Sequence, residues 1–325
     1  MSKMIFAAAA ASALALSSMT AGAATTQDYP VRPVRLIIPF APGGSSDLVA
    51  RPVAQLMSER LGQSIVVDNR GGAGGVVGGQ IVAGALPDGY TLLLASSSGM
   101  SVAPIFTRLP YDPLRDFASV GQIIFSQYAF AVRPSLNVRT VKDAVDLARA
   151  NPKKHTYGSP GRGTIGHLAG ELFNSMAGVD LLHVPYKGAG PMMVDAIGGR
   201  IDFAFSGLSG MLPQIRSEKL RALAVTGAKR AAATPDLPTL SEAGLRGYEA
   251  SVYYGLMGPA KLPSPVVTKL NAALQQALKN PELTRTFVNQ GNDPAPSTAE
   301  QLHALIGRDL QKWSKLAKDA KINVD

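Results

Sequence analysis

A short apolar run, a turn rich in Gly, Ser and Pro, and a helix start recur along this chain, and that pattern restricts its fold most. In the first copy, Leu36–Phe40 reads as a buried strand and Pro42-Gly43-Gly44 as a turn. Ser45-Ser46-Asp47 then supplies N-cap chemistry for a helix that Gly62 closes after Leu61. Pro52 falls inside that helix, where it costs about 3 kcal/mol, so a kink or restart is expected there. Ser64–Asn69 is a second strand entering Gly71-Gly72-Ala73-Gly74-Gly75, followed by a small-residue helix over Val76–Ala85. Tyr90–Ala95 is a third, running into Ser96-Ser97-Ser98-Gly99. Strands alternating with helices imply a parallel sheet covered on both faces, with the Gly/Ser turns together beyond the carboxyl ends of the strands, where open sheets bind ligands.

The same order then repeats. Ala129–Val132 reads as a strand, and Thr140 with Asp143 as a capping box for a helix to Ala150. Thr156–Tyr157 enters Gly158-Ser159-Pro160-Gly161-Arg162-Gly163-Thr164 and a helix through Met176. Leu181–Pro185 enters Lys187-Gly188-Ala189-Gly190 and a helix to Ile197, and Asp202–Phe205 enters Ser206-Gly207-Leu208-Ser209-Gly210. VVDNRGGAGG thus corresponds by role to HVPYKGAGP, and YTLLLASSSGM to DFAFSGLSGM. The pseudo-repeat predicts two similar α/β domains rather than one large sheet.

Further strands are read at Leu223–Val225 and Val252–Met257. Ser264-Pro265 and Asn280-Pro281 are N-cap and N1 pairs, and Ser297 with Glu300 is a capping box for a last helix over Thr298–Lys318. Trp313 is expected to anchor that helix on a core. The boundaries expected are a first domain over 24–126 and 250–325, with a second inserted at 127–249. Two crossings of the chain make a hinge, and two facing Gly/Ser edges make a cleft.

Composition sets the context. Lys3 and the apolar run Met4–Leu16, ending in Ala21-Gly22-Ala23, read as a secretory signal peptide over residues 1–23, too short to span a bilayer. The mature chain is therefore expected to be exported and free in solution, and is taken as a monomer. It has no Cys, which excludes disulfides, zinc-thiolate sites and a lipidated N-terminal Cys. The net charge is +9, but the Lys and Arg are scattered rather than clustered, which argues against nucleic acid and for a mild pull on anions.

Enzyme chemistry finds little footing. Gly161-Arg162-Gly163-Thr164-Ile165-Gly166 is a literal G-x-G-x-x-G, yet Asp180 precedes the next strand instead of closing it, so a dinucleotide fingerprint is incomplete. There is no G-x-S-x-G, no P-loop and no metal-ligand spacing among His155, His167, His183 and His303. No catalytic residue, cofactor or metal is assigned. What remains is an anion site made of helix N-termini and hydroxyls: Ser45, Ser46, Ser97, Ser98, Ser159, Thr164 and Ser206 all stand at strand ends. Any one of them is simply a turn former; their repetition at one edge favours a shared polar pocket. Arg162 is the one cation inside such a turn, set either against a ligand carboxylate or against solvent. His167 lies within reach of a bound anion or packs locally.

Several stretches together resemble one family. They are YPVRPVRLIIPFAPGGSSDLVAR, VVDNRGGAGGVVGG, PDGYTLLLASSSG, LPYDPLRDFA, YGSPGRGTIGHLAGELF, HVPYKGAGPMMVDAIGGRIDFAF and KLRALAVTGAKR. In this order they are similar to the Bordetella uptake gene (Bug) type of extracytoplasmic solute-binding proteins, receptors of tripartite tricarboxylate transporters. The resemblance implies a periplasmic-binding-protein-like pair of doubly wound α/β domains closing on a small organic carboxylate, with membrane transporter subunits as partners. A sensor protein as partner, or a nucleotide-dependent enzyme, is the alternative. The implied ligand loops are Phe40, Pro42, Gly43, Gly44, Ser45, Ser46 and Asp47, with Gly75, Ser97 and Ser98, on the first domain. On the second they are Ser159, Gly161, Arg162, Gly163, Thr164 and His167, with Ser206, and Tyr254 stands at the rim. Ser206 occupies a place where many such proteins carry Asp, which leaves an amino-acid ammonium one partner fewer and tilts the ligand toward a dicarboxylate without an amino group.

Overall fold

A computed structural model describes residues 29–319, so the leader expected over residues 1–23 lies outside the described residues. In the first lobe, β1 (Val34–Ile38) leads to α1 (Ser45–Leu61), β2 (Ile65–Asn69), α2 (Val76–Ala83) and β3 (Thr91–Ser96). β1 lies between β2 and β3 and runs parallel to both, with Leu36 opposite Val67 and Leu92. Val34, Ile37 and Ile38 are fully buried, as a central parallel strand covered on both faces requires. Gly62 closes α1 in the left-handed region, at φ 68. The restart anticipated at Pro52 does not occur, because α1 continues through it as one helix. The carbonyl that loses its partner belongs to Leu48, an exposed residue, so water can take the place of the missing N–H. After β3 the chain forms a π-helical turn at Ser98–Val102 and the short helix α3 (Ala103–Phe106).

β4 (Phe117–Val132) leads into the second lobe, which continues with α4 (Val141–Ala150), β5 (Thr156–Ser159), α5 (Ile165–Ala177) and β6 (Leu182–Pro185). It ends with α6 (Ala189–Ile197), β7 (Phe203–Gly207), α7 (Leu208–Arg216) and β8 (Arg221–Val225). β5 lies between β6 and β7, parallel to both, so the order β6-β5-β7 reproduces β2-β1-β3 and the pseudo-repeat is a repeat of topology. Phe130 packs on Phe173, Phe203 and Phe205 with ring centroids 4.7, 5.4 and 4.6 Å away, the aromatic centre of this lobe. The Thr140–Asp143 capping box forms as the spacing predicts.

The sheets are not purely parallel, which corrects the expectation. β9 (Ser251–Pro259) runs antiparallel to β3, and β4 runs antiparallel to β9, β7 and β8. β4 pairs with β9 from Phe117 to Gln127 and with β7 from Tyr128 to Val132, so one hydrogen-bonded path joins both lobes. The sequence reading reaches only Ala129–Val132 of this strand. Gly121, Gln122, Ser126 and Gln127 break its alternation, and its register slips twice against β9.

α8 (Ser264–Leu278), α9 (Pro281–Asn289), β10 (Asn292–Pro294) and α10 (Ala299–Asp319) complete the chain; β10 is a further strand on β4 with no signal in the sequence. Asn280 caps α9 as expected. Three other caps differ from expectation: α1 is capped by Gly44 without a side-chain bond, so Ser45, Ser46 and Asp47 lie inside the helix. Ser264 lies inside α8 behind Pro263. At α10 it is Thr298 and Gln301, not Ser297 and Glu300, that exchange bonds, of 2.9 and 3.2 Å. The Ser297 hydroxyl instead accepts from the Gln122 amide at 2.9 Å, a tertiary contact that takes it away from the cap. Trp313 is fully buried, the anchor anticipated. No helix among the described residues is long and apolar enough to cross a membrane.

Thr226 holds the place where the chain crosses between lobes. Its Oγ1 accepts from the Tyr128 amide at 2.9 Å and donates to the Ala250 carbonyl at 2.6 Å. Thr226→Val keeps the shape and orphans both groups, so it is expected to cost about 1–3 kcal/mol in urea unfolding. Thr226→Ser should restore most of that loss.

Candidate functional site

The Gly/Ser turns of the two lobes meet face to face. The Ala41 amide donates to the Lys187 carbonyl at 3.3 Å, the Gly210 amide to Ser45 Oγ at 3.2 Å, and the Ile165 amide to Ser98 Oγ at 3.1 Å. Glycines make this approach possible. A Cβ on Gly74 would clash with the Arg162 carbonyl, and one on Gly190 would stand 2.8 Å from the Pro42 carbonyl. The lobes are thus closed on one another.

Between them lies a narrow cavity, about 280 Å³ of unfilled space counting its opening to solvent. Phe40, Gly44, Ser45 and Ser46 line it from the first lobe, with Tyr254 of β9; Tyr128, Pro160, Ala189, Ser206 and Gly207 line it from the second side. Its electrostatics come from backbone. α1, α6 and α7 all begin on its wall, at Ser45, Ala189 and Leu208 behind Gly207, and each start carries unpaired N–H groups and the positive end of a helix dipole. No charged side chain lines it. Ser206 Oγ is buried there without a hydrogen-bond partner. Burial pushes the Tyr128 phenol well above its ordinary range and raises that of Tyr254, so both stay protonated near pH 7. Such a set of neutral donors and dipoles solvates a carboxylate without a formal counter-charge.

Residues 49–322 match the family described as tripartite tricarboxylate transporter family receptor. The chain belongs to this family. A protein of Agrobacterium vitis encoded in the TAR-I ttuE-ttuC′ intergenic region is 40% identical over 296 residues, covering 91% of this chain and 86% of the relative. BugT of Bordetella pertussis is 34% identical over 308 residues, covering 92% and 94%. A protein of R. palustris solved with adipate superposes with a TM-score of 0.88 at 34% identity, covering 90% of this chain and 99% of its own. MatC from Rhodopseudomonas palustris, with bound malate, gives 0.85 at 28%, covering 89% and 99%. The Bug-type resemblance and the periplasmic-binding-protein-like fold therefore hold, and the protein is a receptor of this family rather than an enzyme.

In this receptor the structure brings Phe40, Gly44, Ser45, Ser46, Ser206 and Tyr254 together on the cavity wall. The other expected residues stand behind it. Asp47 turns back on its own loop, accepting from the Gly43 amide at 2.6 Å and from Asn69 at 3.1 Å. Pro42 lies on the seam, and Gly75 backs the Phe40 ring. Ser97 accepts from the Tyr253 amide at 3.0 Å. Ser159 bonds His183, and Thr164 caps α5 while donating to the Gly161 carbonyl at 2.7 Å. Gly163 donates to His167 Nδ1 at 3.2 Å. Arg162 is exposed and off the cavity wall. Gly166, third glycine of the G-x-G-x-x-G, has a packing reason: a Cβ there would meet the Phe205 carbonyl at 2.6 Å. Sequence reasoning missed Tyr128, Pro160, Ala189 and Gly207. The last three sit in turns it had marked; Tyr128 lies inside β4 and carries no local signal.

His167 stacks on His183 with centroids 4.1 Å apart, and Phe106 of the first lobe covers it at 4.5 Å. Burial, then His183 and Arg162, lower the His167 imidazole to about 3; burial and Arg162 lower His183 to about 4. Both are neutral near pH 7, so neither charges the cleft. Because these folded-state values lie below the ordinary 6.5, the unfolded chain takes up protons first. Stability is full above pH 6.5 and falls as pH drops toward 4, by about 1–2 kcal/mol per imidazole at pH 5. Glu171, whose carboxyl burial pushes up, offsets part of this at the acid end. Urea titrations at pH 7 and 5 should show the loss, and His183→Gln should flatten it. Gly190→Ala tests the seam: helix propensity gains up to about 1 kcal/mol while the lobes can no longer close. The expected outcome is an unchanged or higher melting temperature with a larger radius of gyration by X-ray scattering.

Proposed function

We propose that this receptor works in the periplasm after loss of a leader at residues 1–23, and captures a small dicarboxylate without an amino group between its lobes. Delivery is to the membrane subunits of a tripartite tricarboxylate-type transporter. The observation that carries this reading is the cavity where three helices begin, Ser206 keeps a free buried hydroxyl, and no carboxylate stands to receive an ammonium. Related proteins solved with adipate and with malate support the ligand class. The working domains are 24–126 with 250–325, and 127–249, hinged where β4 changes partners and where the chain returns before β9. Ligand held by one lobe's amides gains a second set on closure, and that differential affinity shifts the open–closed equilibrium toward the state a transporter recognises.

Thermal shift with malate, succinate and adipate tests the reading. At a hundredfold excess over Kd a bound acid adds about 2.7 kcal/mol, a readily measured rise in Tm. Aspartate should be the weaker ligand, and Ser206→Ala should weaken the best acid about tenfold while leaving the unliganded Tm in place. If no dicarboxylate stabilises the protein, the reading fails.

A further inference from the structure

Two helices of the second lobe are capped from the first. α7 begins behind Gly207, which has no side chain to offer as a cap. The Gly210 amide, at the third position of α7, donates instead to Ser45 Oγ across the seam, at 3.2 Å. That amide is one an N-cap side chain ordinarily takes. A Cβ on Gly207 would collide with Ser45 Oγ, so the hydroxyl of the first lobe fills the place that a capping side chain would hold. At α5 the Thr164 hydroxyl accepts from the His167 amide at 3.2 Å, which leaves the Ile165 amide at the first position. Ser98 Oγ of the first lobe accepts from it at 3.1 Å. Ser98 and Ile165 are both buried, and Ser98 stands off the wall of the cleft. Ser98 opens a π-helical turn, a rare form found mostly at functional sites.

We propose that the receptor closes on itself without a guest, and that Ser98 is a positioning residue for ligand affinity, capping α5 from the opposite lobe without touching the guest. The part concerning affinity rests on the function proposed above; the part concerning closure does not. Amides at a helix start need an acceptor. With the lobes apart, water supplies it. With the lobes together the Ile165 amide is shut away from water, and only Ser98 meets it. Loss of the Ser98 hydroxyl therefore penalises the closed state alone, by orphaning a buried donor there. A guest that needs the closed state binds in proportion to the closed fraction, so that penalty reaches its affinity. Ser45 serves α7 in the same way but also lines the cleft, so substituting it would mix the two roles. Ser98 keeps them apart.

The test measures the whole mature protein, free of ligand, by X-ray scattering in the wild type, Ser98→Ala, Gly190→Ala and the double variant. Ser98→Ala is expected to raise the radius of gyration toward that of Gly190→Ala, whose seam cannot shut. In the Gly190→Ala background it should change neither the radius nor the urea midpoint, because an open seam gives Ser98 nothing to cap. A role inside its own lobe would instead lower the urea midpoint equally in both backgrounds. Calorimetry with malate, succinate and adipate should show the tightest of them weakened about threefold to thirtyfold by Ser98→Ala. Ser98→Cys, of similar shape and a poorer acceptor, should act in the same direction, and decides if Ser98→Ala does not fold. A free wild type as expanded as Gly190→Ala overturns the proposal, as does an unchanged radius in a folded Ser98 variant. So does an equal loss of urea midpoint in both backgrounds, or unweakened binding of an acid that the wild type binds. If no dicarboxylate binds at all, the function proposed above fails, and scattering from the free protein still decides whether Ser98 holds the lobes closed.

Discussion

The antiparallel strand β4 is the constraint on which the rest of the structure depends. Its first part is hydrogen-bonded to β9 and its last five residues to β7, so a single strand belongs to both lobes. Each lobe then adds its parallel strands outward from that shared spine, β3-β1-β2 on one side and β7-β5-β6 on the other. Parallel strands deliver their carboxyl ends, and the helix starts that follow, to one edge. A common spine turns the two edges toward the same gap. The gathering of helix starts and hydroxyls around the cleft is in this sense a consequence of strand order.

Much of this was legible in the sequence, and the reasons are local. Strands such as Val34–Ile38 and Thr91–Ser96 are short apolar runs stopped by Gly or Ser, and caps such as Thr140 and Asn280 use neighbours two or three residues away. Their physics fits in a window of a few residues. β4 was mostly invisible because its pattern is set by partners far along the chain: Ser297 holds Gln122, and Thr226 holds Tyr128. Ser297 shows the same competition at a helix end, where a tertiary amide took the hydroxyl that local rules had given to α10.

The cleft divides along the same line. Turn glycines and serines announce themselves, so Gly44, Ser45, Ser46 and Ser206 were found from composition and position. Tyr128 reaches the wall only because β4 passes there, and no spacing in the chain encodes that. Asp47 entered the ligand loop by family resemblance, and His167 by its reach to an anion at the start of α5. Packing gave them other partners, Gly43 and Asn69 for the one, Gly163 and His183 for the other. Residue type indicates what a side chain can do; the contacts around it decide what it does.

A wall without formal charge has consequences for how such a receptor works. An ion pair would hold a carboxylate to one lobe almost as firmly open as closed. Dipoles and hydroxyls act only at short range and in good geometry, so their contribution collapses when the donors separate. Here the donors are split: Ser45 and Ser46 come from one lobe, Ser206 and the start of α7 from the other. Under the proposed function a guest finds only part of its hydrogen-bonding shell until the glycine seam shuts. Affinity that depends on closure is the differential affinity that makes ligand and closed state report on each other. The same arrangement gives a route for release, since any force that parts the seam removes one lobe's donors at once.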